Sequence, residues 1–217
     1  MKSVPRLVTL ALLAAVGFAA SGAATAGPAE DLLIAAMRND GYRIGVLLMR
    51  GGDPNVRDEQ GQTPLHIALK DDGDKAVNSL LSHPALDVNA VTAAGETPLM
   101  LAALRGRLDT ARLLVQRGAQ INREGWSPLH YACSGPDEGV AAWLLSQGAE
   151  IDARSPNGST PLMMAAGYGG LSTAELLLKA GAKTQLQNEQ GLRAADFAER
   201  AGRDRFAKLL RAQADKP

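Results

Sequence analysis

The sequence is poor in several residue types, and each shortage excludes a class of protein. Its 217 residues include one cysteine, so neither an internal disulfide framework nor a cysteine-rich zinc site can form. Lysine plus arginine equals aspartate plus glutamate, 23 of each, and this balance argues against a dedicated nucleic-acid or membrane-surface binder. Only 4% of the residues are aromatic, which indicates a core built from leucine, alanine and valine.

Long apolar runs are also absent, apart from one near the N-terminus. Lys2 and Arg6 accompany the apolar residues 7–20, and small residues follow as far as an Ala-Thr-Ala sequence that ends at Ala26. This pattern is typical of a cleavable secretory signal peptide, and the run is shorter than the roughly 20 residues of a membrane-spanning helix. We therefore expect cleavage after Ala26 and a periplasmic or secreted chain that is not inserted in a membrane.

The rest of the chain repeats one short motif. Four segments read Gly-x-Thr/Ser-Pro-Leu-His/Met, and a degenerate fifth follows them. The first glycines of the five segments are separated by 34, 30, 33 and 33 residues, and they are Gly61, Gly95, Gly125, Gly158 and Gly191. Paired leucines recur between the segments, and the pairs begin at Leu47, Leu80, Leu113, Leu144 and Leu177, with a last pair at Leu209.

With this motif at this period, residues 29–217 resemble the ankyrin-repeat family. The resemblance implies an all-α repeat solenoid, in which stacked helix-turn-helix repeats are joined by β-hairpin-like loops. A signal peptide at 1–26 would precede one domain at 27–217, with units at about 29–58, 59–92, 93–123, 124–155, 156–188 and 189–217. The first and last units are expected to be caps with polar outer faces, as terminal repeats require.

The motif residues also predict local structure without the family name. Thr or Ser before Pro is a helix N-cap followed by proline at the first helical position, so helices should begin at Pro64, Pro98, Pro128 and Pro161. The glycine two residues before each cap suits a turn with positive φ. The step of 30 residues indicates that the loop at 121–125 has lost about three residues and should be blunted.

Residues with catalytic potential are few. His66 and His130 share one motif position and are expected to hydrogen-bond the turn backbone between units. Met100 and Met163 fill this position elsewhere, which fits a packing role rather than catalysis. Cys133 falls at a tightly packed inner-helix position and is expected to behave as a small apolar residue. The sequence predicts no catalytic residues, no metal site and no cofactor.

What the resemblance implies about binding concerns the concave surface, which the hairpin tips and inner-helix edges would form. The candidate partner-binding residues there are Gln62, Lys70, Glu96, Leu104, Arg105, Arg123, Trp126, Arg154, Asn157 and Tyr168. Trp126 has two readings: it is an exposed anchor for a partner, because Trp, Tyr and Arg are enriched in hot spots, or it packs over the shortened loop and fills the space there.

We expect a non-catalytic, monomeric scaffold that binds a protein partner and no nucleic acid. The chain is similar to exported bacterial ankyrin proteins linked to catalase, so one hypothesis is that it supports an exported stress-protection enzyme such as catalase. A second hypothesis is an immunity or inhibitor protein that neutralises a secreted toxic enzyme. A third is a thiol-dependent enzyme that acts through Cys133.

Overall fold

The computed structural model describes residues 27–214, so the predicted signal peptide lies outside the described residues. Within residues 27–214 the chain forms twelve helices in six pairs and no strand, as the predicted all-α solenoid requires. The limits of the individual units stay predictions. The helices are α1 (Pro28–Met37), α2 (Gly41–Met49), α3 (Pro64–Lys70), α4 (Asp74–Leu81), α5 (Pro98–Leu104), α6 (Leu108–Gln116), α7 (Pro128–Ser134), α8 (Glu138–Ser146), α9 (Pro161–Gly167), α10 (Leu171–Lys179), α11 (Ala194–Arg200) and α12 (Asp204–Ala214).

The four helices that begin at a motif proline confirm the predicted starts. The residue before each proline has an extended backbone, and its hydroxyl is available to the first turn of the helix. Thr97 accepts a hydrogen bond from the Met100 N–H at 3.3 Å, and Thr160 accepts one from the Met163 N–H at 3.4 Å. Each cap satisfies one of the backbone donors that a helix start leaves without an intrahelical partner.

The helices form two layers. The odd-numbered helices are the inner layer, where each packs on the next odd-numbered helix, and the even-numbered helices are the outer layer behind them. Between neighbouring inner helices lie leucines that are at most 1% exposed and fully buried alanines, whose small side chains allow close approach: Leu65, Leu99, Leu129, Leu162, Ala68, Ala102, Ala132 and Ala165. The stack therefore shares one continuous apolar core, and no helix pair buries its apolar side alone.

The paired leucines lie on the outer helices, but the buried leucine is not always the first of the pair. Leu114, Leu144 and Leu177 are fully buried, whereas Leu113 is 43% exposed. The equivalent position is therefore the second leucine of the pair in α6 and the first in α8 and α10. Counted this way, the leucines are separated by the same 30 and 33 residues as the motif glycines.

Turns of uniform backbone conformation precede the inner helices. All five motif glycines have φ between +71° and +79°, a conformation that costs L residues more than glycine, so the prediction of positive φ is confirmed. Gly118 just after α6 has φ +90°, and the next N–H, of Ala119, donates to the Leu114 carbonyl at 2.9 Å, which completes a helix C-cap.

Amide side chains connect the loops that follow the outer helices. The Oδ1 atom of Asn55 accepts the Asp87 N–H at 2.7 Å, while its Nδ2 donates to the Ala85 carbonyl at 2.8 Å. Asn89 and Asn122 repeat both bonds one and two units further along the chain. Asp152 keeps only the acceptor half, from the Lys183 N–H at 3.1 Å. These side chains fix the spacing between units at the loop edge of the molecule.

The prediction of a polar outer face is wrong for the first unit. Met37, Tyr42 and Met49 are 60%, 86% and 82% exposed, because within the described residues no helix packs on that side of α2. The last unit does expose the charged Glu199 and Arg200.

One arginine of the last unit lies against the preceding helix pair instead of on the outer face. The guanidinium of Arg203 donates to the carbonyls of Ala165, Ala166 and Gly169 at 2.7–3.0 Å. These carbonyls lie at the C-terminal end of α9, where a helix leaves its carbonyls without intrahelical partners. Arg203 therefore holds the last helix pair against the fifth.

Candidate functional site

Three of the predicted site residues form one polar chain across the inner-helix ends. The Lys70 ammonium donates to Gln62 Oε1 at 2.8 Å and lies 3.0 Å from Glu96 Oε2. The other carboxylate oxygen of Glu96 accepts a bond from the Tyr131 hydroxyl at 3.4 Å. The chain thus links residues from three successive helix pairs, and every member is half-buried.

Tyr131 is the residue that sequence reasoning missed. Burial, with the negative charge of Glu96 next in importance, raises the pKa of the Tyr131 phenol, so the phenol stays neutral and donates to Glu96. Its position in α7 is held by buried apolar residues in the neighbouring units, namely Ile67, Leu101 and Met164. An aromatic residue with a hydroxyl at a position otherwise filled by aliphatic and thioether side chains was the available signal.

Trp126 is not fully exposed. It is half-buried, and its ring meets His130 edge-on with ring centroids 5.3 Å apart and Tyr131 edge-on at 6.4 Å. These contacts lie within its own helix pair. Trp126 therefore lies directly beside Tyr131, the last member of the polar chain.

Two further candidates lie at the end of α5. Leu104 is half-buried, and Arg105 is exposed. The Arg105 guanidinium lies 3.5 Å from Asp72 Oδ2 and also donates to the Lys70 carbonyl. Because Arg105 contacts the same lysine residue that starts the polar chain, the structure brings Gln62, Lys70, Glu96 and Arg105 together.

Tyr168 belongs to a separate aromatic pair at the end of α9. It is 54% exposed, and its ring meets Phe197 edge-on at a centroid distance of 6.4 Å. We use the name inner face for the surface made by both groups, that is Gln62, Lys70, Glu96, Leu104, Arg105, Trp126, Tyr131 and Tyr168. Its first part is charged and its last part is aromatic.

The remaining candidates are used to hold the turns. Arg154 donates to the Gly158 carbonyl of the turn that follows it and to the Gln187 carbonyl just before the next turn, both at 2.7 Å. Arg123 donates to the Gly95 carbonyl of the preceding turn at 2.6 Å. The Asn157 side chain accepts the Ser155 hydroxyl at 2.6 Å. These three residues stabilise the loop edge, whatever else they contact.

Five turns make up that edge, and we number them by their residues: turn 1 (58–62), turn 2 (92–96), turn 3 (122–125), turn 4 (155–159) and turn 5 (188–192). In four of them the motif glycine N–H donates to the first residue of the turn at 2.7–3.0 Å. Neighbouring turns are joined twice, by the Ala93 N–H to the Gln60 carbonyl at 2.9 Å and by the Glu189 N–H to the Asn157 carbonyl at 3.0 Å.

Turn 3 departs from this pattern. Two residues separate Asn122 from Gly125, whereas five separate the equivalent Asn89 from Gly95. Among the described residues, the Gly125 N–H has no bond equivalent to those of the other four glycines. In turns 2 and 5 the second residue, Ala93 or Glu189, donates its N–H to the preceding turn. The second residue of turn 4 is Pro156, which has no N–H to donate. A notch of about 500 Å³ remains beside turn 3, lined by residues 122–125, Glu150, Asp152, Ala153 and Arg154.

The motif histidines link units through the turn backbone, as predicted. His130 Nδ1 accepts the Ser127 N–H at 3.2 Å, so its Nε2 carries the proton and donates to the Ser159 carbonyl at 3.0 Å. His66 bonds the Glu96 carbonyl in the same way at 3.2 Å. Burial lowers the pKa of both imidazoles, that of His130 to about 4, so both are neutral near pH 7.

The buried thiol offers no nucleophile. Cys133 is fully buried, and burial raises the pKa of its thiol, whereas a reactive cysteine needs a thiolate within reach of a substrate. Within residues 27–214 no three His, Cys, Asp or Glu side chains gather in a metal-binding group, and no helix there is long and apolar enough to cross a membrane.

Comparisons with known proteins place the chain among repeat proteins. The family model described as ankyrin repeats matches three times, at residues 32–124, 71–155 and 129–217. The NF-kappa-B p105 subunit of Gallus gallus is 29% identical over 67% of this chain and 16% of its own length. The B-cell lymphoma 3 protein homolog of Mus musculus is 30% identical over 67% of this chain and 34% of its own. The chain thus spans about a third or less of these relatives.

A solved structure matches over nearly its whole length. It is one chain of the complex in which a predatory endopeptidase from Bdellovibrio bacteriovorus is bound to an immunity protein. The match has a TM-score of 0.71 and 28% sequence identity, and it covers 85% of this chain and 98% of that one.

Proposed function

This chain belongs to the ankyrin-repeat family, a fold that serves as a scaffold for binding other proteins, and we propose that it captures one protein partner on its inner face. The observation that carries this proposal is the composition of that face. Arg105 and Tyr168 are exposed, and half-buried Trp126 lies beside half-buried Tyr131. Arginine, tryptophan and tyrosine are the residue types enriched in binding hot spots.

The partner we propose is an enzyme that the chain holds inactive. The solved chain that this protein resembles over nearly its full length comes from a complex of an endopeptidase with an immunity protein. This likeness favours the immunity or inhibitor hypothesis over the support of a stress-protection enzyme. Fold likeness alone does not fix function, so the proposal depends on the inner face and is tested there.

We also propose that the chain acts outside the cytoplasm as a monomer. Residues 1–26 have the features of a signal peptide, and the first described helix begins at Pro28. Loss of residues 1–26 would therefore remove none of the twelve helices. Sequencing the N-terminus of the protein from the exported fraction should give Gly27, and a retained N-terminus would overturn this part of the proposal.

The proposed role needs no chemistry from the chain itself. The protonated, buried Cys133 supports a packing role for the thiol rather than a catalytic one. The replacement Cys133→Ala should leave partner binding and its biological effect unchanged. A loss of function with the fold intact would favour the thiol-dependent enzyme instead.

The test of partner binding is capture from the exported fraction of the source cells, followed by assay of the captured enzyme. Arg105→Glu and Tyr168→Ala should each weaken capture at least tenfold, because both side chains are exposed on the inner face. Arg112→Glu is the matched control: Arg112 is an exposed arginine on the outer helix α6.

The identity and activity of the captured protein decide the role. A hydrolase that loses activity on binding supports inhibition. A catalase or another protective enzyme that gains activity or abundance would replace inhibition by support. Equal capture by all three variants would contradict the inner face as the binding surface.

A further inference from the structure

The first helix pair leaves an apolar surface uncovered. Met37 at the end of α1 is 60% exposed, and Tyr42 and Met49 on α2 are 86% and 82% exposed. Gly45, Val46 and Met49 follow Tyr42 at the spacing i+3, i+4 and i+7, so the four residues lie on one side of α2. Exposed apolar patches on soluble proteins mark sites of interaction.

The other outer helices do not have such a side. Each of α4, α6, α8, α10 and α12 exposes at most one large apolar side chain, and none of these is more than 45% exposed. On α4, the neighbour of α2, the exposed residues are all polar: Asp74, Lys75 and Asn78. A terminal repeat needs a polar outer face for solubility, so the apolar side of α2 is explained by a second molecule that covers it.

The middle of this apolar side is a depression. A Cβ added at Gly45 would meet no atom within 4 Å, so the space above this residue is open, and the exposed Tyr42 and Met49 lie about one helical turn to either side of it. A row of side chains from a second helix fits such a depression. α2 already packs through a glycine on its α4 side, where a Cβ on Gly41 would lie 2.5 Å from the Lys75 carbonyl oxygen.

Positive charge brackets the apolar side. Arg38 lies shortly before α2 and Arg50 directly after it. Both side chains are exposed, and within residues 27–214 neither guanidinium makes an ion pair or a hydrogen bond. The nine residues of α2 span about 12 Å, so the two charges stand near opposite ends of the helix.

The carboxylates of this region do not neutralise these two arginines. There are four between residues 27 and 53. Three of them already accept hydrogen bonds from Arg43 or from the Asn55 N–H, and they are Asp31, Asp40 and Asp53. The fourth, Glu30, is in the first turn of α1, at the end of that helix away from Met37.

We propose that an acidic amphipathic helix of another protein binds at this place, on a surface that we call the end face: Met37, Arg38, Tyr42, Gly45, Val46, Met49 and Arg50. Carboxylates seven or eight residues apart on that helix are separated by about 11–12 Å and can pair with both arginines. Apolar residues between them would cover the side of α2, as an amphipathic helix does in a groove.

Charge favours a foreign helix over a second copy of this chain. In a symmetric pair of end faces, an arginine at either end of α2 would meet an arginine of the other copy, and such like-charge contacts are unfavourable. The end face is thus a contact surface in addition to the inner face, and it does not depend on the function proposed for that face.

The direct test measures binding of designed peptides to the purified protein. The probe is a helical peptide of about 18 residues, with leucines on one side and glutamates spaced seven residues apart beside them. Its control has lysine in place of each glutamate. Backbone amide shifts recorded by NMR should change at residues 37–50, and the glutamate peptide should bind at least fivefold more tightly than the lysine peptide.

Variants of the end face separate its apolar and charged parts. Tyr42→Ser with Met49→Ser should abolish peptide binding while the circular dichroism spectrum stays the same, because both side chains are exposed. Arg38→Glu with Arg50→Glu should reverse the preference, so that the lysine peptide binds more tightly. The matched control is Leu171→Ser with Arg112→Glu, which changes an exposed leucine on α10 and an exposed arginine on α6 and should alter nothing.

Three results would overturn the inference. Equal affinity for the two peptides would mean that charge plays no part. A dimer in sedimentation that Tyr42→Ser with Met49→Ser converts to a monomer would mean that a second copy covers the end face. Binding to phosphatidylcholine–phosphatidylglycerol vesicles, lost in the same variant, would mean that a membrane does. The inner-face variants Arg105→Glu and Tyr168→Ala lie outside the end face, so failure here leaves the proposed function standing.

Discussion

Turns 1 and 2 and turns 4 and 5 each form a joined pair, whereas turn 3 between them is joined to neither neighbour by a backbone hydrogen bond. In the joined pairs the backbone N–H groups and the arginine side chains are used to hold the stack. At turn 3 the backbone bond within the turn and the backbone bonds to both neighbouring turns are absent among the described residues, and a notch of about 500 Å³ opens beside it. The stack of turns is therefore held by fewer backbone hydrogen bonds where the repeat is irregular than where it is regular.

The largest expected effect is the loss of stability on replacing His130, which lies next to turn 3. His130→Ala should lower the free energy of unfolding by about 4 kcal/mol, because it removes a buried side chain and leaves the Ser159 carbonyl and Ser127 N–H without their partner. His66→Ala should cost about half as much, since the Ala93–Gln60 backbone bond still joins the turns there. Urea unfolding of both variants measures the difference; equal losses would mean that turn 3 is not a weak point.

The second effect is the dependence of stability on pH. The unfolded chain binds a proton at His130 near pH 6.5, but the folded chain does so only near pH 4. Between these values the unfolded state binds more protons, so stability is full above about pH 6.5 and falls as the pH drops toward 4, by about 3 kcal/mol from this residue.

The replacement His130→Met isolates this contribution, because methionine fills the same position as Met100 and Met163 in other repeats. Thermal unfolding across pH 4–7 should show a shallower slope for this variant than for the parent. An unchanged slope would show that His130 does not titrate as described.

A smaller difference is expected between the two turn arginines. Arg154→Ala removes two hydrogen bonds, one to the Gly158 carbonyl of turn 4 and one to the Gln187 carbonyl next to turn 5, and should cost about 1.5 kcal/mol. Arg123→Ala removes one bond, to the Gly95 carbonyl, and should cost about half of that. Chemical denaturation of both variants in parallel compares their free energies of unfolding. A larger loss for Arg123→Ala than for Arg154→Ala would contradict the view that turn 3 is held less firmly than turns 4 and 5.

The smallest effect is a gain. Insertion of Ala-Val-Thr between Asn122 and Arg123, which copies residues 90–92, restores the length of turn 3. Its combination with Pro156→Ala also gives turn 4 the backbone N–H group that proline lacks. The repaired chain should be more stable by about 1 kcal/mol, the net value of one or two added backbone hydrogen bonds. Pro156→Ala alone is the control and should give no gain, because the acceptor turn stays short. A repaired chain less stable than the parent would show that turn 3 is not simply incomplete.

Most of the scaffold could be predicted because its signals are local. Thr-Pro fixes the helix starts through capping and the fixed φ of proline, and the motif glycines fix turns with positive φ. The hydrogen bond of each motif histidine to the turn backbone between units was expected from its position in the motif. The shortened loop at 121–125 was also visible in the spacing.

The surface was harder to predict, because it depends on contacts between units. The ion pair of Lys70 with Glu96 and the hydroxyl contact of Tyr131 join residues 26 and 35 positions apart, and no local pattern indicates them. The exposed Tyr42 and Met49 were missed since an apolar residue on an outer helix is read as core unless the absence of a neighbouring helix is known. That Pro156 removes a hydrogen bond between turns 3 and 4 could be recognised only once the bonds between the other turns were known.

Amide hydrogen exchange at the five motif glycines tests the difference between the turns most directly. Gly61, Gly95, Gly158 and Gly191 each donate to the first residue of their turn at 2.7–3.0 Å, whereas Gly125 has no such bond. The five probes share residue type and φ. The account predicts slow exchange at four of them and fast exchange at Gly125 alone; protection of Gly125 equal to that of the others would contradict it.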